Sequence, residues 1–171
     1  MAAITTLEEL TAALKDQHEQ LQGLLLRVLN EKGEERANLF AKVRQVIAAH
    51  EALEQGTVHP ATRQAEDESV ADSRVDEESK AEEAITKLES LEVDSEKFEN
   101  GFERLSRDVA QHAENEEHEE FGELSGELTD VAAARVATGL ELVEQAKEGS
   151  LGGDAFEDLF NGCKRRIADA G

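Results

Sequence analysis

His50 and Glu54, and again His112 and Glu116, stand four residues apart. On a helix that spacing puts an imidazole and a carboxylate on one face, one turn apart, able to reach one metal ion or straddle two. The chain holds 40 Asp and Glu against only 5 His, so two such pairs by themselves carry little weight. Their weight comes from where they fall on the helices that carry them.

Leu7, Leu10, Leu14, Leu21, Leu25 and Val28 mark one face of a first helix over residues 5–30, with Gly33 as a stop, and His18 fills the gap in that stripe. In a second helix, residues 34–59, the series Phe40, Val43, Ile47 continues to His50 and Glu54, with Leu53 on the flank. A third, residues 73–92, carries Ala81, Ile85 and Leu88 and leads back to Glu78. A fourth, capped by Asp94 or Ser95 and running to Phe121, carries Phe98, Phe102, Leu105 and Val109 and continues to His112 and Glu116. Each of the four helices therefore points a His or a carboxylate at the core.

Their heights agree as well, because residues equidistant from a tight turn lie level across a helical hairpin. His18 and His50 centre on residue 34, Glu78 and His112 on residue 95, and His50 and Glu78 on residue 64, each at an expected turn. Ionised carboxylates placed bare in a core are costly enough to demand a partner. Imidazole with carboxylate suits iron, manganese or zinc rather than calcium or copper(I). Two internal carboxylates able to bridge argue for two ions. The competing reading keeps the same layer as a metal-free network of imidazolium–carboxylate hydrogen bonds that fixes register in a structural bundle. Ferritin-type di-iron bundles use Glu-x-x-His; here the residues three before each His are Lys15, Ile47, Gly56, Val109 and Asn115, which disfavours that type.

The rest of the chain supports an all-α fold. It is rich in Ala, Glu and Leu, with a single Pro, no Trp and no Tyr. Pro60 marks an end or kink, residues 61–72 read as a loop, and the acidic clusters at 66–68 and 114–120 read as solvated apart from Glu116. A fifth helix over residues 127–147 presents Leu128, Val131, Leu140 and Val143; after a Gly-rich turn at 148–153, a short sixth holds Phe156, Leu159, Phe160, Cys163 and Ile167. The expected architecture is an up-down-up-down four-helix bundle with two additional C-terminal helices. His59, about 180° round the helix from His50, should face away, and His118 should be solvated. Cys163 is the only cysteine, so thiolate metal sites and an intrachain disulfide are excluded, and it reads as a core residue.

A net charge of −22 with no basic stripe argues against nucleic acid and against anionic membrane. The first ten residues, with Glu8 and Glu9 and no apolar core, are no signal peptide, and no run approaches the ~18 apolar residues of a membrane span. A soluble, cytoplasmic protein is expected.

One His on the first helix, then HxxxE on the second and the fourth, resembles the hemerythrin-like HHE cation-binding family. Residues 50–60 (HEALEQGTVHP) are similar to its second-helix signature, with His59 where a Tyr is usual, and residues 112–121 (HAENEEHEEF) to its fourth-helix signature. The resemblance implies a metal-binding bundle over residues 1–122 and a helical extension over 123–171 on the same domain. It implies two carboxylate-bridged non-haem iron ions, with His18, His50 and His112 as terminal ligands and Glu54 and Glu116 as bridges. The family usually adds third-helix histidines, which this chain lacks; Glu78 is the expected substitute and Glu77 its rival. An oxygen-rich iron of this kind suits reaction with hydrogen peroxide or dioxygen, including catalase-like peroxide decomposition. The alternative is a sensing or binding module for iron, oxygen or nitric oxide, with the last two helices transmitting occupancy.

Overall fold

The computed structural model describes residues 3–65 and 68–171, so Glu66, placed in a solvated cluster above, and Asp67 lie outside the described residues. Among the described residues there are six α-helices: α1 (Leu7–Asn30), α2 (Gly33–Ala65), α3 (Glu68–Glu89), α4 (Glu96–Asn115), α5 (Asp130–Glu148) and α6 (Phe156–Ala168). α1 packs on α2, α2 on α3, α3 on α4, and α4 back on α1, which closes a four-helix bundle. Among the described residues no helix is long and apolar enough to cross a membrane.

The helix ends follow from local chemistry. Thr6 accepts from the Glu9 amide at 3.2 Å while Glu9 accepts from the Thr6 amide at 3.3 Å, a reciprocal capping box that opens α1. Ser95 caps α4 by accepting from the Phe98 amide. Asp94, the other candidate for that cap, instead reaches across the bundle and accepts from the Gly33 amide at 2.9 and 3.0 Å. Buried Arg36 adds bonds to the Val93 carbonyl and Glu99, both at 2.9 Å. These contacts tie the α1–α2 turn to the α3–α4 turn, and so fix the heights at which α1, α2, α3 and α4 carry their polar residues. Gly33 itself does not stop α1: Glu31 ends it in an extended conformation, and Gly33, at φ +60°, starts α2.

The core of the bundle is the expected set of stripes, with Phe40 meeting Phe98 and Phe102 edge-on at 5.1 and 5.8 Å near the turn end. Three expectations are corrected. The loop over 61–72 is largely helix: α2 runs through Pro60 to Ala65, and α3 begins at Glu68. Pro60 removes only the amide that would bond the Gly56 carbonyl, and the burial of Val58, His59 and Thr62 holds the helix together past it. The face of α5 is Val136, Gly139, Leu142, Val143 and Ala146, whereas Val131 is exposed.

The third correction concerns α2, which buries much more than one stripe. Both C-terminal helices dock on it, α6 touching α3 as well, so Val46, Ala49, Ala52 and Leu53 are as buried as Val43 and Ile47. Close approach at two glycines makes this docking possible. A Cβ on Gly139 would lie 2.5 Å from Leu53 Cδ1, and one on Gly56 would lie 2.8 Å from Ile167 Cγ2.

Candidate metal centre

In the middle of the bundle His18, His50, Glu54 and Glu116 offer one ligand atom each, all within 4.8 Å of one another, and so do Glu54, Glu78, His112 and Glu116. Glu54, Glu78 and Glu116 are fully buried. The two sets share Glu54 and Glu116. All six residues singled out from the stripes thus converge in one layer.

The three imidazoles are set in the same way. His50 Nδ1 lies 2.8 Å from Gln17 Oε1, His18 Nδ1 2.9 Å from Glu117 Oε1, and His112 Nδ1 2.9 Å from Glu77 Oε2. An amide or carboxylate oxygen only accepts, so each Nδ1 is the donor and carries the proton. Each Nε2 then faces inward. Phe121, in the short 3₁₀ turn after α4, stacks on His18 with centroids 5.9 Å apart. Such outer contacts lock tautomer and ring orientation as in metal-ligating histidines. Glu77 is therefore the backing of His112, and Glu78 is the α3 residue inside the layer.

Inside, the partners are missing. Neither oxygen of Glu54, neither oxygen of Glu116, nor His112 Nε2 has a hydrogen bond, although all are buried. Their approaches to the imidazoles are loose: His50 Nε2 to Glu54 Oε1 at 3.3 Å, and His18 and His112 Nε2 to Glu116 Oε2 at 3.3 and 3.4 Å. His18 and His50 point their Nε2 atoms at each other across 3.1 Å. With both Nδ1 atoms protonated, that distance requires a proton or a cation between them. A layer of converging lone pairs without donors is what a bound cation completes, and the donor set fits a first-row transition ion.

Without a cation, protons do the compensating. Burial pulls the His18 pKa down, yet Glu116 and Glu54 outweigh it and lift it to about 10. His112 rises to about 9 against burial, through the charge of Glu116 and its bond to Glu77. Burial and the charge of Glu116 push Glu54 up to about 8. His50 goes the other way, well below its ordinary value, because it is buried beside the positive charges of His18, His112 and His59.

Two residues expected to be outside are inside. His59 and Glu120 are both fully buried. His59 Nε2 bonds Glu78 Oε1 at 2.8 Å and its Nδ1 bonds Glu120 Oε1 at 3.0 Å, while Thr62 Oγ1 donates to Glu120 in a very short contact. His59 is buried although it lies about 180° round α2 from His50, because α2 has neighbours all round and its far side is core rather than water. Glu120 was legible: it continues the series Val109, His112, Glu116 by one more step of four. The turn that carries it, Glu116–Glu120, is a single π-helical turn, a feature frequent at functional sites. Elsewhere in that acidic stretch Glu114, His118 and Glu119 are exposed as expected, whereas Glu117 is half-buried against His18. Cys163 is buried on α6, and burial raises its thiol pKa.

A cavity of about 20 Å³ adjoins the layer, walled by Leu21, Ile47, Ala81 and Val109 and reaching His50 and His112. That volume admits a molecule the size of water. Glu51, which no stripe singled out, also lines it; it is almost fully buried, and its Oε2 has no partner.

Comparison with protein families finds a match to the hemerythrin HHE cation binding domain over residues 9–124. Comparisons with curated proteins and with solved structures find no match.

Proposed function

Because the chain belongs to the hemerythrin HHE cation-binding family, we propose that its buried layer holds two iron ions and that the protein acts on hydrogen peroxide or dioxygen. In this reading His18 and His50 hold one ion, His112 and Glu78 hold the other, and Glu54 and Glu116 serve both. One observation carries it: three imidazoles protonated outward on Nδ1 surround buried Glu54 and Glu116 oxygens that have no hydrogen-bond donor. Bound iron would supply reversible electron exchange and a concentrated positive charge, which none of these side chains has.

The protein's own contribution is positioning. Gln17, Glu117 and Glu77 each hold a proton on Nδ1 and turn Nε2 inward, where a metal ion would displace any second proton. Gln55 and His59 grip Glu78 from behind, at 2.6 and 2.8 Å, leaving its remaining lone pairs for the ion. The cavity beside His50 and His112 has room for a molecule about the size of water, which suits a small inorganic substrate. On α3 a carboxylate takes the place of an imidazole, which makes the second position harder and more oxygen-rich, and favours turnover over reversible carriage. Disproportionation of peroxide to water and dioxygen fits such a site, because it balances without an outside reductant. A cytoplasmic, peroxide-decomposing role follows from this reading. Elemental analysis of chain purified without a metal-affinity tag should find about two iron per chain, with peroxide consumption by that protein. Less than one iron per chain, or iron-loaded protein inert to peroxide, would overturn it.

A second reading has an observation of its own. α5 and α6 dock on α2, the helix that carries His50, Glu54 and His59. Such contact would let iron, oxygen or nitric oxide occupancy reach the C-terminal helices, as a sensor requires. Limited proteolysis with and without iron separates the readings: a sensor changes its cleavage over residues 127–171, whereas identical patterns remove the idea.

A further inference from the structure

The side-chain cluster does not end at the paired layer. His59, Glu116 and Glu120 form a third set with ligand atoms mutually within 4.8 Å, and all three are fully buried. Neither His59 nor Glu120 joins the two four-residue sets at that separation, so this set is a position of its own, touching the pair through Glu116. The π turn builds it. Five residues spread over one wide turn bring Glu116 and Glu120 to the same side of the chain, and the turn is closed by the Phe121 amide on the Glu116 carbonyl. α2 supplies His59 immediately before Pro60.

Hydrogen bonds leave this set unfinished. His59 and Thr62 both direct their donors to a single oxygen, Glu120 Oε1. Glu120 Oε2 receives none, and neither does either oxygen of Glu116. The approaches of His18 and His112 to Glu116 both go to Oε2, which leaves Oε1 without a polar contact. Arg74, whose charge reaches Glu120, directs its ion pairs to Glu77 and Glu119 at 3.2 and 3.3 Å. Two buried carboxylates with three undonated oxygens face one imidazole, and one cation would engage all three side chains at once.

We propose that His59, Glu116 and Glu120 hold a third cation beside the pair, bound at His59 Nδ1 in place of the proton that this ring otherwise donates to Glu120, which is released to solvent. One imidazole and two carboxylates select a divalent first-row ion such as manganese, iron or zinc. The inference rests on the paired-site reading, because Glu116 is common to both.

The test uses the full chain stripped of metal, reloaded with Mn²⁺ and desalted. Metal analysis should count three manganese ions per chain, and Glu120→Gln should hold two with helix content retained. Anomalous diffraction from crystals of the unaltered Mn²⁺-loaded protein should show a third peak bounded by His59 and Glu120, which decides the matter even if Glu120→Gln does not fold. Two ions and two peaks in the unaltered protein overturn the third position and leave the pair standing. Three ions retained by Glu120→Gln overturn the assignment to these residues. No manganese anywhere sinks both this inference and the paired site.

Discussion

Two ends of one cluster solve the problem of buried polarity in opposite ways. At the end formed by His18, His50 and His112, each ring donates outward through Nδ1 and turns Nε2 inward, where it is only loosely engaged. At the other end His59 has both nitrogens on carboxylates, which only accept, so it must be an imidazolium. Burial opposes that charge, but Glu120 and Glu78 overcome it and lift its pKa to about 11. Residue type does not separate the two ends; the partners behind each ring do. An amide or an outlying carboxylate on Nδ1 leaves Nε2 loosely held and ready to exchange a proton for a metal ion, whereas close carboxylates on both nitrogens hold an imidazolium that must shed a proton before it can ligate.

The largest expected effect comes from removing rings at the end formed by His18, His50 and His112. The double variant His50→Leu/His112→Leu should lose metal uptake and, with it, any metal-dependent rise in stability, which is about 2.7 kcal/mol at one hundred times the dissociation constant. The metal-free chain itself should lose stability too, because removing the His112 ring leaves buried Glu116 and half-buried Glu77 without their imidazole partner. Thermal melts with and without iron check both halves. A variant that still gains stability from iron would show that these rings are not ligands.

Next is the backing rather than the ligand. Gln17→Leu leaves the His50 ring in place but frees its Nδ1, so the tautomer is no longer set. Metal affinity should fall ~10–100-fold without loss of helix content. Competition with a chelator of known affinity measures it, and an unchanged affinity would mean that the outer contacts of the two ends are not what distinguishes them.

That distinction also bears on how much of the site is legible in the sequence. Gaps in apolar stripes found His18, His50, Glu54, Glu78, His112 and Glu116, because a polar residue in phase with a core face has nowhere else to go. The level heights were readable because the turns are short, and the Gly33–Asp94 bond now fastens two of them together. His59 was misplaced by the same logic applied where it does not hold. Phase tells inside from outside only for a helix with one wet face, and α2 has none along its middle. The docking of α5 and α6 was unreadable for a related reason: it depends on shape at Gly139 and Gly56, where the signal is an absent side chain. Glu77 and Glu78 are adjacent on one helix, and phase against Ala81, Ile85 and Leu88 points Glu78 inward, where the structure buries it.

Proton compensation makes the metal-free cluster sensitive to pH in a definite direction. The raised values of His112, His18 and His59, about 9, 10 and 11, mean that the folded chain keeps protons that the unfolded chain releases near 6.5. Their stabilisation is complete below pH 6.5 and is lost as pH rises through those values. Glu54, raised to about 8 from 4.5, adds to the same trend from lower pH upward. His50, depressed, works only at the acid side, where it lowers stability below pH 6.5. Between pH 7 and 10 the metal-free protein should therefore weaken steadily in denaturant unfolding. Metal binding should release protons and tighten over the same range. Equal pH slopes for metal-free and metal-loaded protein would contradict the compensation.

The smallest effect should come from Gly56→Ala, which sits between Glu54 and His59 but faces α6. The new Cβ would meet Ile167 Cγ2 at 2.8 Å. Crowding of this kind costs about 1–3 kcal/mol, and the better helix former offsets about 0.5–1 kcal/mol of it. The net loss of order 1 kcal/mol should lower the melting temperature by ~2–4 °C. Metal content should not change, because none of the hydrogen bonds that distinguish the two ends involves a residue of α6. If Gly56→Ala instead removed metal from the His59 end alone, the difference between the ends would have to be assigned to the packing of α6, and α6 would become the natural route by which occupancy reaches the C-terminus.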